Sequence, residues 1–166
     1  MDRADKNEQG VIVATEQNED SFRERRKKRR VNAVPGTKVL LIDDSRTICV
    51  LLRKMLLQNQ YEVFEAQDAE TGLKIAFEQR PGLIFLDIVL PGINGFQALR
   101  QLRKDPRTKD VPVIMISGNV QATERYYAER IGADDFMKKP FSRFEVFHRI
   151  ERLLNEQFIP CRQLKN

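Results

Sequence analysis

The stretch Leu83-Ile84-Phe85-Leu86-Asp87 places four consecutive apolar residues directly before a carboxylate. A short run that is apolar at every position is typical of a central strand in a parallel sheet, where helices cover both faces. The run VIMIS at 113–117 has the same character and ends in a hydroxyl. These two runs predict the middle of a parallel sheet.

Strands and helices alternate on both sides of these two runs. Further strand-like segments lie at 38–42, 61–66 and 135–138, and helix-period segments cover the stripe 48–56 and about 68–79, 96–104, 121–131 and 143–157. In the first helix the apolar positions keep a spacing of three and four residues, and Ser45 is its expected N-cap. Parallel strands need crossover helices, so the alternation predicts an α/β fold with a doubly wound five-stranded parallel sheet.

Charge and composition change sharply near the N-terminus. Residues 1–22 carry six acids and two bases, whereas residues 23–30 (RERRKKRR) carry seven bases and one acid. We expect residues 1–36 to form a flexible arm, because they show no periodicity and cannot bury enough apolar surface to offset their ordering entropy. The domain is expected at 37–157, followed by a C-terminal tail at 158–166.

Several classes of protein are excluded by composition. No apolar run approaches the roughly 18 residues that a membrane helix needs, and the polar N-terminus lacks a signal peptide's apolar core. Two widely spaced cysteines and a single histidine, His148, argue against zinc sites, haem and a Ser-His-Asp triad. We therefore expect a cytoplasmic protein.

Polar groups stand at the ends of four predicted strands: Asp43 and Asp44, Asp87, Ser117 and Lys139. In an open α/β sheet these carboxyl ends meet at one edge, where ligands bind. Clustered carboxylates favour a hard divalent cation such as Mg²⁺. One carboxylate is then a possible nucleophile toward a phosphoryl group, with the lysine and the hydroxyl placed to stabilise the phosphoryl oxygens.

The segment 38–157 resembles a response-regulator receiver domain, and the match covers about 120 of the 166 residues. It is carried by IDDS (42–45), LDIVLPGINGF (86–96), VIMIS (113–117) and GADDFMKKPF (132–141). The stretch DIVLPGINGFQALRQL is most similar to single-domain regulators of type IV pilus twitching motility and chemotaxis-like pathways. The resemblance implies a (βα)5 flavodoxin-like fold.

The same resemblance implies residue roles. Asp87 corresponds to the phosphoacceptor, and Asp43 with Asp44 to the acidic pair. Asp44, Asp87 and the backbone carbonyl of Val89 would hold Mg²⁺. Ser117 corresponds to the switch hydroxyl, Lys139 to the phosphate-contacting lysine and Phe136 to the switch aromatic. The Lys139–Pro140 bond corresponds to a cis-proline turn, although the sequence leaves cis and trans open.

Two positions depart from the commoner family pattern, and two others tune the phosphoryl lifetime. Ser117 stands where Thr is more usual, and Phe136 stands where Tyr is more usual and lacks its hydroxyl. Val89 and Asn119 occupy positions that tune the lifetime of the phosphoryl group. An apolar Val89 cannot position an attacking water, so we expect slow autodephosphorylation.

Aromatic residues near the end of the fold suggest a partner face. Tyr126, Tyr127 and Phe144, together with Phe136, would lie on the face that docks partners within the family. The alternative is that two of the three outer rings only complete the core. We interpret His148 as a surface residue and Cys161 as an exposed thiol.

The expected function is that of a stand-alone response regulator rather than a metabolic enzyme. Its partners would be a histidine kinase or histidine phosphotransfer protein and a downstream effector, and it would be a monomer or weak dimer. The alternative is a phosphate sink or a pseudo-receiver whose basic arm binds nucleic acid or an anionic surface. A haloacid-dehalogenase-type phosphatase is disfavoured, because residues 43–47 do not supply DxDx[TV]. The absence of nucleotide-binding glycine motifs argues against a nucleotide-binding enzyme. The absence of a C-terminal DNA-binding domain argues against a DNA-binding regulator.

Overall fold

The structure, a computed structural model, describes residues 31–118 and 121–163. Five parallel strands form one sheet in the order β2-β1-β3-β4-β5. Their bounds are β1 Lys38–Ile42, β2 Glu62–Ala66, β3 Leu83–Asp87, β4 Val113–Ser117 and β5 Asp135–Lys138. The predicted doubly wound five-stranded parallel sheet is confirmed.

A helix follows each strand. The helices are α1 Arg46–Leu57, α2 Ala69–Gln79, α3 Gly95–Lys104, α4 Ala122–Ile131 and α5 Arg143–Arg152. The Ser45 side chain accepts a hydrogen bond from Ile48 N–H, as its predicted N-cap role requires. Asn94 and Ser142 form reciprocal capping boxes with the third residues of α3 and α5.

The core lies on both faces of the sheet. Every residue of β3 and β4 is buried, which explains why these two strands are apolar almost throughout. On β1, Leu40 and Ile42 pack on one face while Val39 and Leu41 pack on the other. The central strands are therefore covered on both faces.

Both ends of the domain differ from the prediction. The last helix ends at Arg152 rather than near residue 157, and the chain then folds back so that Leu154 bridges to Pro160. Residues 32–36, expected in the flexible arm, are packed: Ala33 is buried and its N–H donates to the Tyr61 hydroxyl. Val34 N–H donates to the Phe158 carbonyl at 3.0 Å. Tertiary hydrogen bonds therefore order residues on both sides of the predicted bounds 37–157, in segments that have no hydrophobic periodicity.

Two arginines fix the C-terminal segment to the start of β5. Arg103 and Arg162 contact the two oxygens of Asp134 at 2.8 and 3.0 Å, and that carboxylate also accepts from Val113 N–H. The side chain of Asp134 is almost fully buried, and both of its oxygens have a charged partner. Cys161, expected as an exposed tail thiol, is partly buried in this segment.

The basic run 23–30, the rest of residues 1–30 and the tail 164–166 lie outside the described residues. In the described part of the chain, no helix has the length and apolar character needed to cross a bilayer.

Candidate functional site

Polar residues at or just after the carboxyl ends of four strands meet at one edge of the sheet. Asp43 and Asp44 follow β1, Asp87 ends β3 and Ser117 ends β4, while Lys139 follows β5. β1 and β3 are neighbours in the sheet, and the chain connections leave them in opposite directions. The aspartates at the carboxyl ends of these two strands therefore lie beside each other.

The three aspartates form an acidic pocket, the name used below for Asp43, Asp44 and Asp87. Each offers a carboxylate oxygen, and these oxygens all lie within 4.8 Å of one another. Asp43 and Asp87 are buried, whereas Asp44 is exposed. One oxygen of Asp43 accepts from Ser45 N–H at 2.9 Å, which fixes its carboxylate at the start of α1.

Lys139 neutralises part of this charge. Its Nζ lies 2.6 Å from Asp43 Oδ2 and 3.1 Å from Asp87 Oδ2, so one ammonium bridges the two buried carboxylates. Burial alone would lower the pKa of Lys139, but the hydrogen bonds and charges of Asp43 and Asp87 raise it above its ordinary value. Lys139 is therefore a fixed cation. Its neighbour along the chain, Lys138, is exposed.

Asp87 has the environment of a reactive carboxyl. Burial, and next the nearby charge of Asp43, raise the pKa of Asp87 to about 6, against the opposing effect of Lys139. Its other oxygen lies 3.4 Å from Val89 N. A buried carboxylate that a single lysine does not fully compensate is a common feature of a functional site.

The pocket suits a hard divalent cation. Three carboxylates face one lysine, so the pocket carries excess negative charge. Oxygen-only donors, one of them exposed to solvent, match the ligand preference of Mg²⁺, which keeps several waters when bound. The residues present therefore fit the metal that the sequence predicted.

The two predicted switch residues are both buried. Ser117 is buried at the end of β4, and its carbonyl accepts from Lys139 N–H at 2.8 Å, which ties the lysine's backbone to the same edge. Phe136 is buried and packs in the core on the α3 side of the sheet. The Lys139–Pro140 peptide bond is cis.

The two positions expected to tune the phosphoryl lifetime have different outcomes. The Val89 side chain is 71% exposed and lies on the rim beside Asp87. Asn119 lies outside the described residues.

The aromatic residues of the predicted partner face are only partly exposed. Tyr126 and Phe144 are well exposed, and Phe144 stacks on His148, which is exposed as expected. Tyr127 instead packs edge-on against Phe96 of α3, with ring centroids 5.0 Å apart, and its hydroxyl contacts Arg100. Tyr127 therefore joins α4 to α3 as well as lining the face.

Two contacts near Asp87 were not predicted from the sequence. A Cβ on Gly95 would lie 2.2 Å from the Asp87 carbonyl oxygen, so the start of α3 packs directly on the Asp87 backbone. Glu70, in the first turn of α2, lies 3.4 Å from Ile93 N in the loop after Asp87. Gly95 was visible as part of the loop motif, but nothing in the sequence around Glu70 indicates that contact.

Fold and site together define an α/β module: a five-stranded parallel sheet with an acidic pocket and one lysine at its carboxyl edge. A family model described as the response regulator receiver domain matches residues 39–151. The chain belongs to this family.

Individual relatives differ in how much of their length the chain matches. The chain is 36% identical over 117 residues to Protein PilH of Pseudomonas aeruginosa, an alignment that covers 70% of this chain and 97% of PilH. It is 35% identical over 131 residues to the alkaline phosphatase synthesis transcriptional regulatory protein PhoP of Bacillus subtilis, covering 78% of this chain but only 54% of PhoP. The chain thus spans nearly all of one relative and about half of another.

Solved structures agree with the fold. The Vibrio cholerae chemotaxis protein CheY4 superposes with a TM-score of 0.69 at 27% identity, covering 72% of this chain and 99% of CheY4. A response regulator from Chloroflexus aurantiacus gives a TM-score of 0.67 at 28% identity, covering 70% of this chain and 96% of that structure.

Proposed function

We propose that this chain is a single-domain response regulator that takes a phosphoryl group onto Asp87 from the phosphohistidine of a histidine kinase or histidine phosphotransfer protein. The observation that carries the proposal is the bridge that Lys139 makes between buried Asp43 and buried Asp87, next to the exposed Asp44. The family and the similarity to nearly the full length of PilH support it.

The chemistry is an exchange of one bond for another at phosphorus. An oxygen of ionised Asp87 attacks the phosphorus, an acyl phosphate O–P bond forms and the N–P bond to the donor imidazole breaks. The electron pair of the broken bond returns to the imidazole nitrogen. With a proton on its other ring nitrogen, the donor leaves as neutral histidine. Lys139 Nζ contacts Asp87 Oδ2, so it is placed to contact and stabilise the phosphoryl oxygens as well.

Asp43, Asp44, Asp87 and the Val89 carbonyl would hold Mg²⁺, which supplies positive charge against the phosphoryl oxygens. The support is the excess negative charge of the acidic pocket described above.

Signalling would follow from a population shift after phosphorylation. The Ser117 hydroxyl, at the end of β4, would donate to a phosphoryl oxygen, and the buried packing of Phe136 would favour the active arrangement of the partner face. Tyr126 and Phe144 expose aromatic surface on that face for a downstream effector. The protein would act as a monomer or weak dimer and carry out no reaction beyond its own phosphorylation and dephosphorylation.

The pathway we propose is motility through a pilus or a chemotaxis-like system. The similarity to PilH and the fold of the chemotaxis protein CheY4 support this assignment. Transcriptional regulators of similar identity match over only about half their length, and they give no comparable support.

Intact-protein mass after incubation with acetyl phosphate and Mg²⁺ tests the proposal. We expect wild type and the control Asp110→Asn, which removes an exposed aspartate, to gain the mass of one phosphoryl group, and Asp87→Asn to gain none. A gain by Asp87→Asn would move the acceptor to another residue. No gain by wild type under any metal condition would make the chain a pseudo-receiver that works only by docking.

A further inference from the structure

The loop that joins β3 to α3 covers residues 88–94 and begins directly after the proposed phosphoacceptor. Gly95 N–H donates to the Ile88 carbonyl at 2.8 Å, which closes the base of the loop, and the Leu90 side chain packs in the core. The turn at 91–92 is exposed. Its position therefore depends on contacts with a neighbouring element.

Glu70, in the first turn of α2, supplies such a contact. Its Oε1 accepts from Ile93 N–H, with 3.4 Å between the oxygen and the nitrogen. A Cβ on Gly92 would lie 2.7 Å from the same oxygen and 3.3 Å from Oε2. The carboxylate of Glu70 therefore lies directly against the backbone of Gly92 and Ile93.

The start of α2 fixes the backbone of Glu70. The Asp68 side chain accepts from Thr71 N–H at 2.7 Å and from the Thr71 hydroxyl at 3.0 Å, which caps the first turn of the helix. A Cβ on Gly72 would lie 2.5 Å from Ile42 Cδ1, so α2 packs closely on the end of β1. Contacts on both sides of Glu70 thus hold it beside the loop.

Glu70 has a second possible role, because a carboxylate in the first turn of a helix interacts favourably with the helix dipole. That role does not account for the fit between Glu70 and Gly92. The φ of Gly92 is +75°, a conformation that is unfavourable for residues with a side chain. Any Cβ at this position would also collide with Glu70 Oε1. The geometry therefore favours a contact role for Glu70.

We propose that Glu70 is a positioning residue for the Mg²⁺ site, an inference that rests on the metal site of the proposed function. Glu70 holds the turn at Gly92 and Ile93, and this restricts the orientation of the Val89 carbonyl three residues earlier in the same loop. Residues that orient a metal ligand without binding the metal often have a large effect on affinity. Glu70 is not a ligand itself, since its carboxylate is not among the three that lie within 4.8 Å of one another.

Isothermal titration calorimetry of the full chain with Mg²⁺ alone tests the inference. We expect Glu70→Ala to weaken Mg²⁺ binding at least about three-fold, because the loop loses a hydrogen-bond acceptor. Glu70→Gln keeps a carbonyl oxygen but has no charge, so it should bind Mg²⁺ as wild type does. Glu78→Ala is the matched control, since it removes an exposed carboxylate about 12 Å further along the same helix, and it should also bind as wild type does.

Amide hydrogen exchange gives a second readout that needs no metal. In the metal-free protein, the Ile93 amide of Glu70→Ala should exchange several-fold faster than that of wild type or Glu70→Gln, because its N–H has lost its acceptor. The Gly95 amide is the internal control and should not change, since its acceptor is the Ile88 carbonyl. Thermal unfolding of each variant checks that it is folded.

The inference is overturned if Glu70→Ala binds Mg²⁺ as tightly as wild type, or if its Ile93 amide exchanges at the wild-type rate. Equal weakening by Glu70→Gln and Glu70→Ala would also overturn it, because charge rather than contact would then be responsible. So would a wild type that binds no Mg²⁺. A wild type that binds Mg²⁺ with the expected differences between variants, but gains no phosphoryl group from acetyl phosphate, would contradict only the proposed function.

Discussion

Lys139 Nζ lies 3.1 Å from Asp87 Oδ2, although 52 residues separate the two along the chain. The same ammonium contacts Asp43 Oδ2 at 2.6 Å. One lysine therefore holds two buried carboxylates side by side that would otherwise repel each other in a region of low dielectric. This arrangement leaves Asp87 ready to accept a group whose own negative charge Lys139 can contact.

Replacing Lys139 should separate its role from that of an ordinary surface lysine. We expect Lys139→Ala to lower the rate of phosphoryl incorporation from acetyl phosphate at least about ten-fold, because no other described side-chain amine contacts Asp87. Lys138→Ala is the matched control, since its side chain is exposed on the same strand end. Equal rates for the two variants, measured by intact mass over time, would remove Lys139 from the reaction.

Gly95→Ala should destabilise the domain through the Asp87 backbone. The new Cβ would meet the Asp87 carbonyl oxygen at 2.2 Å, and the neighbouring atoms are backbone that cannot turn aside. We expect a loss of about 3 kcal/mol in the free energy of unfolding, the upper range for overpacking.

The control for this variant is Gly118→Ala, where a Cβ would meet nothing within 4 Å. Urea unfolding followed by circular dichroism measures both free energies. A Gly95→Ala protein as stable as the Gly118→Ala protein would show that α3 does not pack on the Asp87 backbone as described.

Val89 should set a long lifetime for the phosphorylated state. Its exposed isopropyl group lies beside Asp87 and offers no hydrogen bond to orient an attacking water. We expect phosphorylated wild type to lose its phosphoryl group slowly in the presence of Mg²⁺, and Val89→Asn to lose it several-fold faster. Val50→Asn, on an equally exposed apolar position of α1, is the control. A half-life of seconds for wild type would contradict this prediction.

Arg103 should matter more for stability than any exposed ion pair. Its side chain and that of Asp134 are 10% and 3% exposed, so Arg103→Ala would leave a buried carboxylate with only Arg162 as its partner. We expect a cost of about 3 kcal/mol in the free energy of unfolding, as for other broken buried pairs.

Arg107→Ala serves as the comparison, since Arg107 pairs with Asp105 near the surface, where solvent and salt screen an ion pair and leave little net stabilisation. Thermal or urea unfolding of both variants gives the difference. If both cost the same, the Arg103–Asp134–Arg162 contact does not hold the C-terminal segment in place.

Much of the fold could be predicted because its signals are local. An apolar run such as Leu83–Leu86 must be covered on both faces, and the three- and four-residue spacing in α1 defines one buried stripe. The convergence of Asp43, Asp87, Ser117 and Lys139 also followed, since parallel strands bring their carboxyl ends to one edge. The cis geometry at Pro140 was left open and is now assigned.

The prediction failed where order depends on contacts between distant segments. The buried Ala33 and the fold-back from Leu154 to Pro160 have no periodicity of their own, because they are held by hydrogen bonds to Tyr61, Leu153 and Val34. Tyr127 was assigned to the partner face, but its packing on Phe96 depends on where α3 and α4 lie.

The sequence by itself determined which polar residues stand at the end of each strand. It also determined that the carboxylates, the hydroxyl and the amine share one edge of the sheet. Its hydrophobic period and the handedness of parallel crossovers are sufficient for that. Only the tertiary structure decided that one ammonium bridges Asp43 and Asp87, and that the two terminal segments join into a surface at the opposite edge. Both depend on distances of a few ångströms between residues far apart in the chain, which packing determines and local sequence patterns do not encode.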